Sequence, residues 1–384
     1  NGDGEISGAG EVAWLFFGLR RGGSSIYAID VTSKSTPKLM WHIDKNTAGF
    51  GDMGQSWSTP TVGFSKINAS AGTPKPVLIF GAGYSEGKDV TGIGSADSEG
   101  TGVYMVDAEK GTLLWSLTDS TTPAFPGTDS VPSSIATMDS DFDGYIDRLY
   151  FGDTGGHVWR IDMPGTAITD WLATQVASLG SDAVEAEDRR FFAEPSIARA
   201  FITDTFEHTE TVNGVPVTKI HKTETPYDAI LIGSGDRTDP TGSNTQDKLF
   251  MIKDENIITQ KFTTATTVVT TSGLYDYTND PFKDLIVDSA AYNSLAIAVS
   301  KKDGWFIDLE GVEEKNFAKP EAIAGVAYYN SFTPAETSAN SCTVGGGVSQ
   351  LYAVNLELGT KIYDDRVMEI GNTIQDGISI ITIP

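Results

Sequence analysis

One short pattern recurs along the chain: an aromatic residue, two more residues, a polar residue that is usually Asp, a small turn, then a second aromatic. It runs from Tyr27 through Asp30 to Trp41, from Tyr104 through Asp107 to Trp115, and from Trp159 through Asp162 to Trp171. Later copies run from Phe250 through Lys253 to Phe262, from Trp305 through Asp308 to Phe317, and from Tyr352 through Asn355 to Tyr363. Apolar side chains alternate within each copy, as on a strand that turns and comes back. Copies begin about 47 to 91 residues apart, which leaves room for four-stranded units with loops of uneven length.

Apolar runs at 11–19, 76–84, 227–233 and 290–300 predict further strands, and 169–179 is the one stretch with helical patterning. The polar stretches 65–73, 85–100, 203–221 and 263–272 read as loops. The predicted class is all-β: a β-propeller of about seven modified blades with long loop insertions, forming one domain over residues 1–384. Analogy of repeat length with known propellers selects it over a β-sandwich or two smaller β domains. The run 378–383 is expected to pair with the first blade and close the ring, which would remove exposed edges.

One loop interrupts this pattern with chemistry. Residues 139–147 read DSDFDGYID, with carboxylates at Asp139, Asp141 and Asp143, a glycine at Gly144 and a fourth carboxylate at Asp147. Alternate carboxylates on a tightly turning backbone converge on one point, the arrangement that calcium's preference for several hard oxygens requires. The predicted Ca2+ ligands are Asp139, Asp141, Asp143, the backbone carbonyl of Tyr145, and Asp147. An EF-hand would place Glu at the twelfth position between helices; here Tyr150 stands there, between strand-like flanks. The ion is therefore expected to tie a β-hairpin. A weaker site is expected at Asn1, Asp3 and Glu5, which look like the remainder of a similar loop.

Charge narrows the partners. Lys and Arg number 27 against 52 Asp and Glu, a net charge of −25, which repels phosphate backbones and argues against nucleic acid. No apolar run is long enough to span a membrane. The chain begins at Asn1 without an initiator Met, so it is expected to be the C-terminal part of a longer protein. The single Cys342 rules out an internal disulfide. His42, His157, His208 and His221 show no zinc spacing, and no nucleophile elbow accompanies them. His157 reads as a packing or hydrogen-bonding residue. Asp236 and Asp239, beside Arg237, read as a capped turn with a salt bridge. No enzymatic activity is expected.

With loop and repeats in hand, the chain resembles the C-terminal propeller of the PilC/PilY family of type IV pilus tip and biogenesis adhesins. The resemblance rests on Glu11 to Gly23 leading into Tyr27–Asp30, on Gly54 to Pro60, and on the loop and strand from Asp139 to Asp162. Gly233 to Arg237 with Asp247 to Phe250, and the region from Phe332 through Cys342 to Ala353, extend it over essentially the whole chain. It implies a place at the pilus tip or outer membrane of a Gram-negative bacterium. It also implies support of pilus extension against retraction, with roles in surface attachment and twitching motility. Implied partners are pilus components such as minor pilins, the protein's own N-terminal region, and a surface or host-cell ligand. Some members of that family carry an Arg-Gly-Asp tripeptide, which is absent here. Two competing readings keep a propeller: a generic calcium-binding adhesion module of integrin type, and a quinone-dependent dehydrogenase. The first wants several such loops, and the second an adjacent cysteine pair.

Overall fold

A computed structural model describes residue 6 and residues 10–70, 72–90, 93–263, 266–335 and 346–379. The chain divides into two compact units. One is Asn1–Thr174 with Thr259–Ala265, and the other is Gln175–Ile258 with Thr266–Pro384.

In the first unit, β1 (Trp14–Gly18), β2 (Ser25–Asp30) and β3 (Lys38–Asp44) form an antiparallel sheet. A second sheet follows from β4 (Thr61–Ser70), β5 (Thr73–Gly81), β6 (Gly102–Asp107) and β7 (Leu113–Thr118), in chain order. β8 (Ala136–Met138), β9 (Arg148–Gly152) and β10 (His157–Asp162) pair antiparallel in turn. All residues of β6 and β9 are buried, so both faces of these strands are covered by protein. The repeat aromatics behave as predicted here: Trp41, Trp115 and Trp171 are buried on returning segments.

β11 (Ala173–Ser178) follows, and its last residues pair in parallel with β15, named below. The second unit is built on β12 (Ser196–Val212), β13 (Val215–Gly233) and β14 (Lys248–Asp254). After the two-residue β15 (Val269–Thr270) come β16 (Tyr275–Asp276), the helix α1 (Ala290–Ser300) and β17 (Gly304–Asp308). These give a sheet of order β12-β13-β14-β17-β16. A last sheet runs β18 (Glu321–Ile323), β19 (Val326–Pro334), β20 (Gly347–Asn355) and β21 (Val367–Gly371).

Several expectations are corrected. Six aromatic phrases mark five sheets among the described residues, because the phrases at Phe250 and Trp305 lie on paired neighbours, β14 and β17. The count of about seven blades rests on analogy of repeat length with known propellers, not on one sheet per phrase. Residues 290–300 are helical rather than extended: Ser289 caps the first turn, its Oγ accepting from Tyr292 N at 3.2 Å. An apolar run rich in Ala suits either state by period, and the cap decides. Residues 169–179 carry a short turn of helix at Ile168–Asp170 and then the strand β11, not a longer helix. Residues 65–73 continue β4 and begin β5. Residues 203–221 are the paired arms of a long hairpin, turned at Asn213 and Gly214 with φ of 53° and 80°. That Asn-Gly pair is the signature of a two-residue hairpin turn. The predicted ring-closing strand 378–383 lies largely outside the described residues, as does Cys342. Among the described residues no helix is long and apolar enough to cross a membrane.

The second unit's core centres on Trp305, which is 1% exposed. Its Nε1 donates to Leu356 O at 2.9 Å, and its ring meets those of Tyr277 and Tyr329. Trp305→Ala should therefore cost about 3–5 kcal/mol, read as an earlier urea transition in that unit.

Candidate metal centre

β8 and β9 are joined by the acidic loop, and Asp147 closes it: its N–H donates to Met138 O at 2.9 Å, beside the Met138↔Arg148 pair. Two residues turn the chain with positive φ, Phe142 at 61° and Gly144 at 88°. Glycine takes that conformation freely; Phe142 takes it at the loop's tip with its ring 87% exposed. The carboxylates are held by the loop's own donors. Asp139 accepts from Asp143 N at 3.2 Å and Gly144 N at 2.8 Å, while Asp147 accepts from Ser140 N at 3.1 Å and Ser140 Oγ at 2.6 Å.

Asp139, Asp141 and Asp147 each bring one oxygen into a group whose members all lie within 4.8 Å of one another. Asp143 stands apart from that group. Its Oδ2 is 2.7 Å from Lys66 Nζ and its Oδ1 accepts from Tyr145 N at 3.0 Å, and these contacts hold its carboxyl below the usual range. The Lys66 ammonium is held above its ordinary value, chiefly by the same hydrogen bond. Tyr145 contributes its N–H to the loop and its ring to Lys66, 6.0 Å away. The three grouped donors are all hard carboxylate oxygens, a set that fits calcium and lacks the nitrogen or sulfur that zinc or copper would favour. Asn1, Asp3 and Glu5 lie outside the described residues.

A buried charge network underlies the loop. Thr259 Oγ1 sits 2.9 Å from Ser140 Oγ and accepts from Arg148 Nε at 2.7 Å. Arg148 is fully buried, as are Arg160 and Asp162, which form a two-point ion pair at 2.7 and 2.6 Å. Gln260 N donates to Asp162 Oδ1 at 3.1 Å, and the Arg160 guanidinium lies 5.2 Å from the ring centre of Phe262. Phe262 had been expected on a returning strand; it covers a buried cation instead. None of these supports was found from sequence. Ser140 alone carried a signal, being a hydroxyl between two of the aspartates.

A family model of the PilY1 beta-propeller domain matches residues 5–285, well over half the chain. The chain belongs to the PilY1 beta-propeller family. It is 29% identical over 152 residues to the type IV pilus biogenesis factor PilY1 of Pseudomonas aeruginosa strain UCBPP-PA14, covering 40% of this chain and 11% of that protein. It is 24% identical over 365 residues to the PilY1 homolog of Xylella fastidiosa strain Temecula1, covering 90% of this chain and 22% of that protein. The chain thus spans only a small part of the length of these relatives. The crystal structure of the Pseudomonas aeruginosa PilY1 C-terminal domain is similar in fold, with a TM-score of 0.60 at 20% identity, over 91% of this chain and 67% of that one. The all-β propeller class stands, and the family's name is that of a pilus biogenesis factor rather than of an enzyme class.

In this PilY1-family chain a second cluster lies in the same unit. Asp129, Asp153 and His157 bring ligand atoms within 4.8 Å of one another. Asp153 is already saturated, accepting from Gly155 N at 2.9 Å, His157 N at 2.8 Å and Trp159 Nε1 at 2.7 Å, with His157 Nδ1 at 3.0 Å. Asp129 accepts from the buried ammonium of Lys88 at 2.6 Å. The cation of this cluster is a side chain, and His157 is the hydrogen-bonding residue its sequence context suggested. Asp236 is likewise a capped turn, accepting from Thr238 N at 2.8 Å, but its ion pair is with Arg190, at 2.8 Å, rather than Arg237.

Burial opposes charge on His157, and Asp153 and Asp129 outweigh it, so its pKa lies above the ordinary imidazole value. A raised folded pKa adds stability that is complete below the unfolded value and disappears as pH rises through the folded one. His157→Gln should therefore cost more stability at about pH 5 than at about pH 9, either side of the ordinary imidazole pKa. Urea unfolding of both proteins at the two values checks this; an equal cost at both would contradict it.

Proposed function

We propose that this chain is a calcium-stapled propeller domain of a type IV pilus biogenesis factor, acting at the cell surface or pilus tip to support extension against retraction. Attachment and twitching would follow from the pili so maintained. Pilus components, the protein's own N-terminal region and a surface or host-cell ligand are its proposed partners. Family membership supports the pilus half of this reading. The observation that carries the calcium half is the convergence of Asp139, Asp141 and Asp147 on one point.

A bound Ca2+ would supply the positive charge that lets these carboxylates remain together. The chain's own residues do the rest. Ser140 aims Asp147, the N–H groups of Asp143 and Gly144 aim Asp139, and β8 and β9 fix the distance between the two ends. Lys66 competes for Asp143 and, in giving it up, would let that carboxylate and the Tyr145 carbonyl complete the ligand set. An ion that binds only the folded form stabilises it by about 2.7 kcal/mol at a hundredfold excess over its dissociation constant. That is enough to fix a loop, and small beside the core beneath it.

Calorimetric titration should show Asp147→Ala losing at least about 100-fold in calcium affinity, since removing even an outer-shell support at a metal site costs about 10- to 100-fold and Asp147 is proposed as a ligand. Lys66→Ala should bind more tightly than wild type, because Asp143 is released. Unchanged affinity in Asp147→Ala would defeat the ligand assignment. In cells, the same substitution in the full-length protein should lower the count of surface pili and restore it when retraction is disabled. Unchanged piliation would separate the ion from the pilus role.

A further inference from the structure

The hairpin β12–β13 extends far beyond its sheet. β14 pairs with β13 only along 228–233, so the arm from 203 to 226 has two edges that no strand of the described residues covers. The edges differ. Thr203 N donates away from β13 to Glu357 Oε1 at 2.8 Å, and Thr205 O accepts from Ser300 Oγ at 3.1 Å. Odd-numbered residues of β12 therefore turn their backbone groups outward. The unbroken register carries this phase on to Glu207, Thr209 and Thr211.

On β13 the outward residues are the even-numbered ones, and two of them, Pro216 and Pro226, have no N–H to offer. Proline at outward positions leaves the hairpin's own ladder whole while blocking addition of a strand. The β12 edge from Glu207 to Val212 carries no such block.

That edge is also complementary to itself. Antiparallel pairing of two copies about Thr209 joins the outward residues as hydrogen-bonded pairs, Thr209 with Thr209 and Glu207 with Thr211 of the partner subunit. On the face shared by the even residues it sets His208 against Glu210 of the partner subunit. It also sets Phe206 against Val212 of the partner subunit, an aromatic and β-branched pair of the kind favoured across strands. Lys219, opposite His208 and ion-paired with Glu210 of its own chain, adds positive charge beside the incoming carboxylate. Phe206 and Val212 are 44% and 42% exposed. We propose that the distal edge of β12 is a docking edge for a second copy of this chain, pairing antiparallel about Thr209 to give a two-fold dimer.

So short an interface makes weak dimers, with a dissociation constant of about 10 to 1000 µM. Sedimentation velocity over that concentration range tests it. Wild type should shift from monomer to dimer. Thr209→Pro, which removes an outward N–H and leaves the β12–β13 ladder intact, should remain monomeric throughout. Thr218→Pro, the matching change on the already blocked edge, should associate as wild type does. Glu210→Lys should weaken association about tenfold by placing a second cation beside Lys219 of the partner subunit. A monomeric wild type, a Thr209→Pro that dimerises normally, or a Thr218→Pro as defective as Thr209→Pro would each overturn the proposal. Should Thr209→Pro fail to fold by circular dichroism, Glu210→Lys decides, and unchanged association there overturns it.

Discussion

Like charges brought together on a rigid frame are the constraint around which the first unit is organised. Asp139, Asp141 and Asp147 present oxygens within 4.8 Å of each other. Two unit charges at 4 Å repel by about 1 kcal/mol in water and about 4 kcal/mol at the effective dielectric near a protein surface. A flexible loop would relieve that by opening. This one is held at both ends by β8 and β9, at Asp147 by Ser140, and from below by Thr259, Arg148, Arg160 and Asp162. Removing one member of a buried ion pair costs about 3–5 kcal/mol, so the loop's base depends on Arg160 and Asp162 staying paired.

Sequence reading found what local spacing encodes. The alternate aspartates, the glycine at position 144 and the strand-like flanks were enough to place the acidic loop in a hairpin, and the aromatic phrases located most buried strands. What it missed depends on partners distant in sequence. Thr259 and Phe262 serve the loop from more than a hundred residues away, and nothing in their own neighbourhood says so. Polar residues misled for a related reason. Most of the stretch 203–221, from Phe206 on, shows no alternation of buried and exposed positions because both faces of the arm meet solvent, so period-2 patterning had nothing to act on. Residues 290–300 erred the other way: an apolar run satisfies a strand as well as a helix until Ser289 is recognised as a cap.

An all-β chain must also manage its edges, and this one does so residue by residue. Near the sheet, β12 is covered by side chains: Glu357 takes the N–H of Thr203 and Ser300 donates to the carbonyl of Thr205. Along the arm, β13 is guarded by Pro216 and Pro226. A net charge of −25 adds long-range repulsion between copies, which salt screens within about 10 Å at 0.1 M. Under that screening, short-range complementarity along an unblocked strand edge can decide which contacts form.

Two carboxylate clusters in one unit meet the same electrostatic problem in different ways. Around Asp129 and Asp153 the positive charge is covalent: Lys88, 2% exposed, reaches Asp129 at 2.6 Å and Asp97 at 3.9 Å. Such a cation cannot leave, so the pair it makes does not depend on ions drawn from the medium. Beside Asp139, Asp141 and Asp147, Lys66 pairs, among the described residues, with Asp143, the aspartate outside the cluster, and its side chain is 36% exposed. An exposed lysine on the outlying carboxylate leaves the inner three for a charge drawn from solution. Where a fold can bury a lysine and does so at one cluster, an open arrangement at its neighbour makes sense if occupancy is meant to follow the surroundings. The calcium proposed for this loop would thus be exchangeable with solution, where the lysine at the other cluster is not.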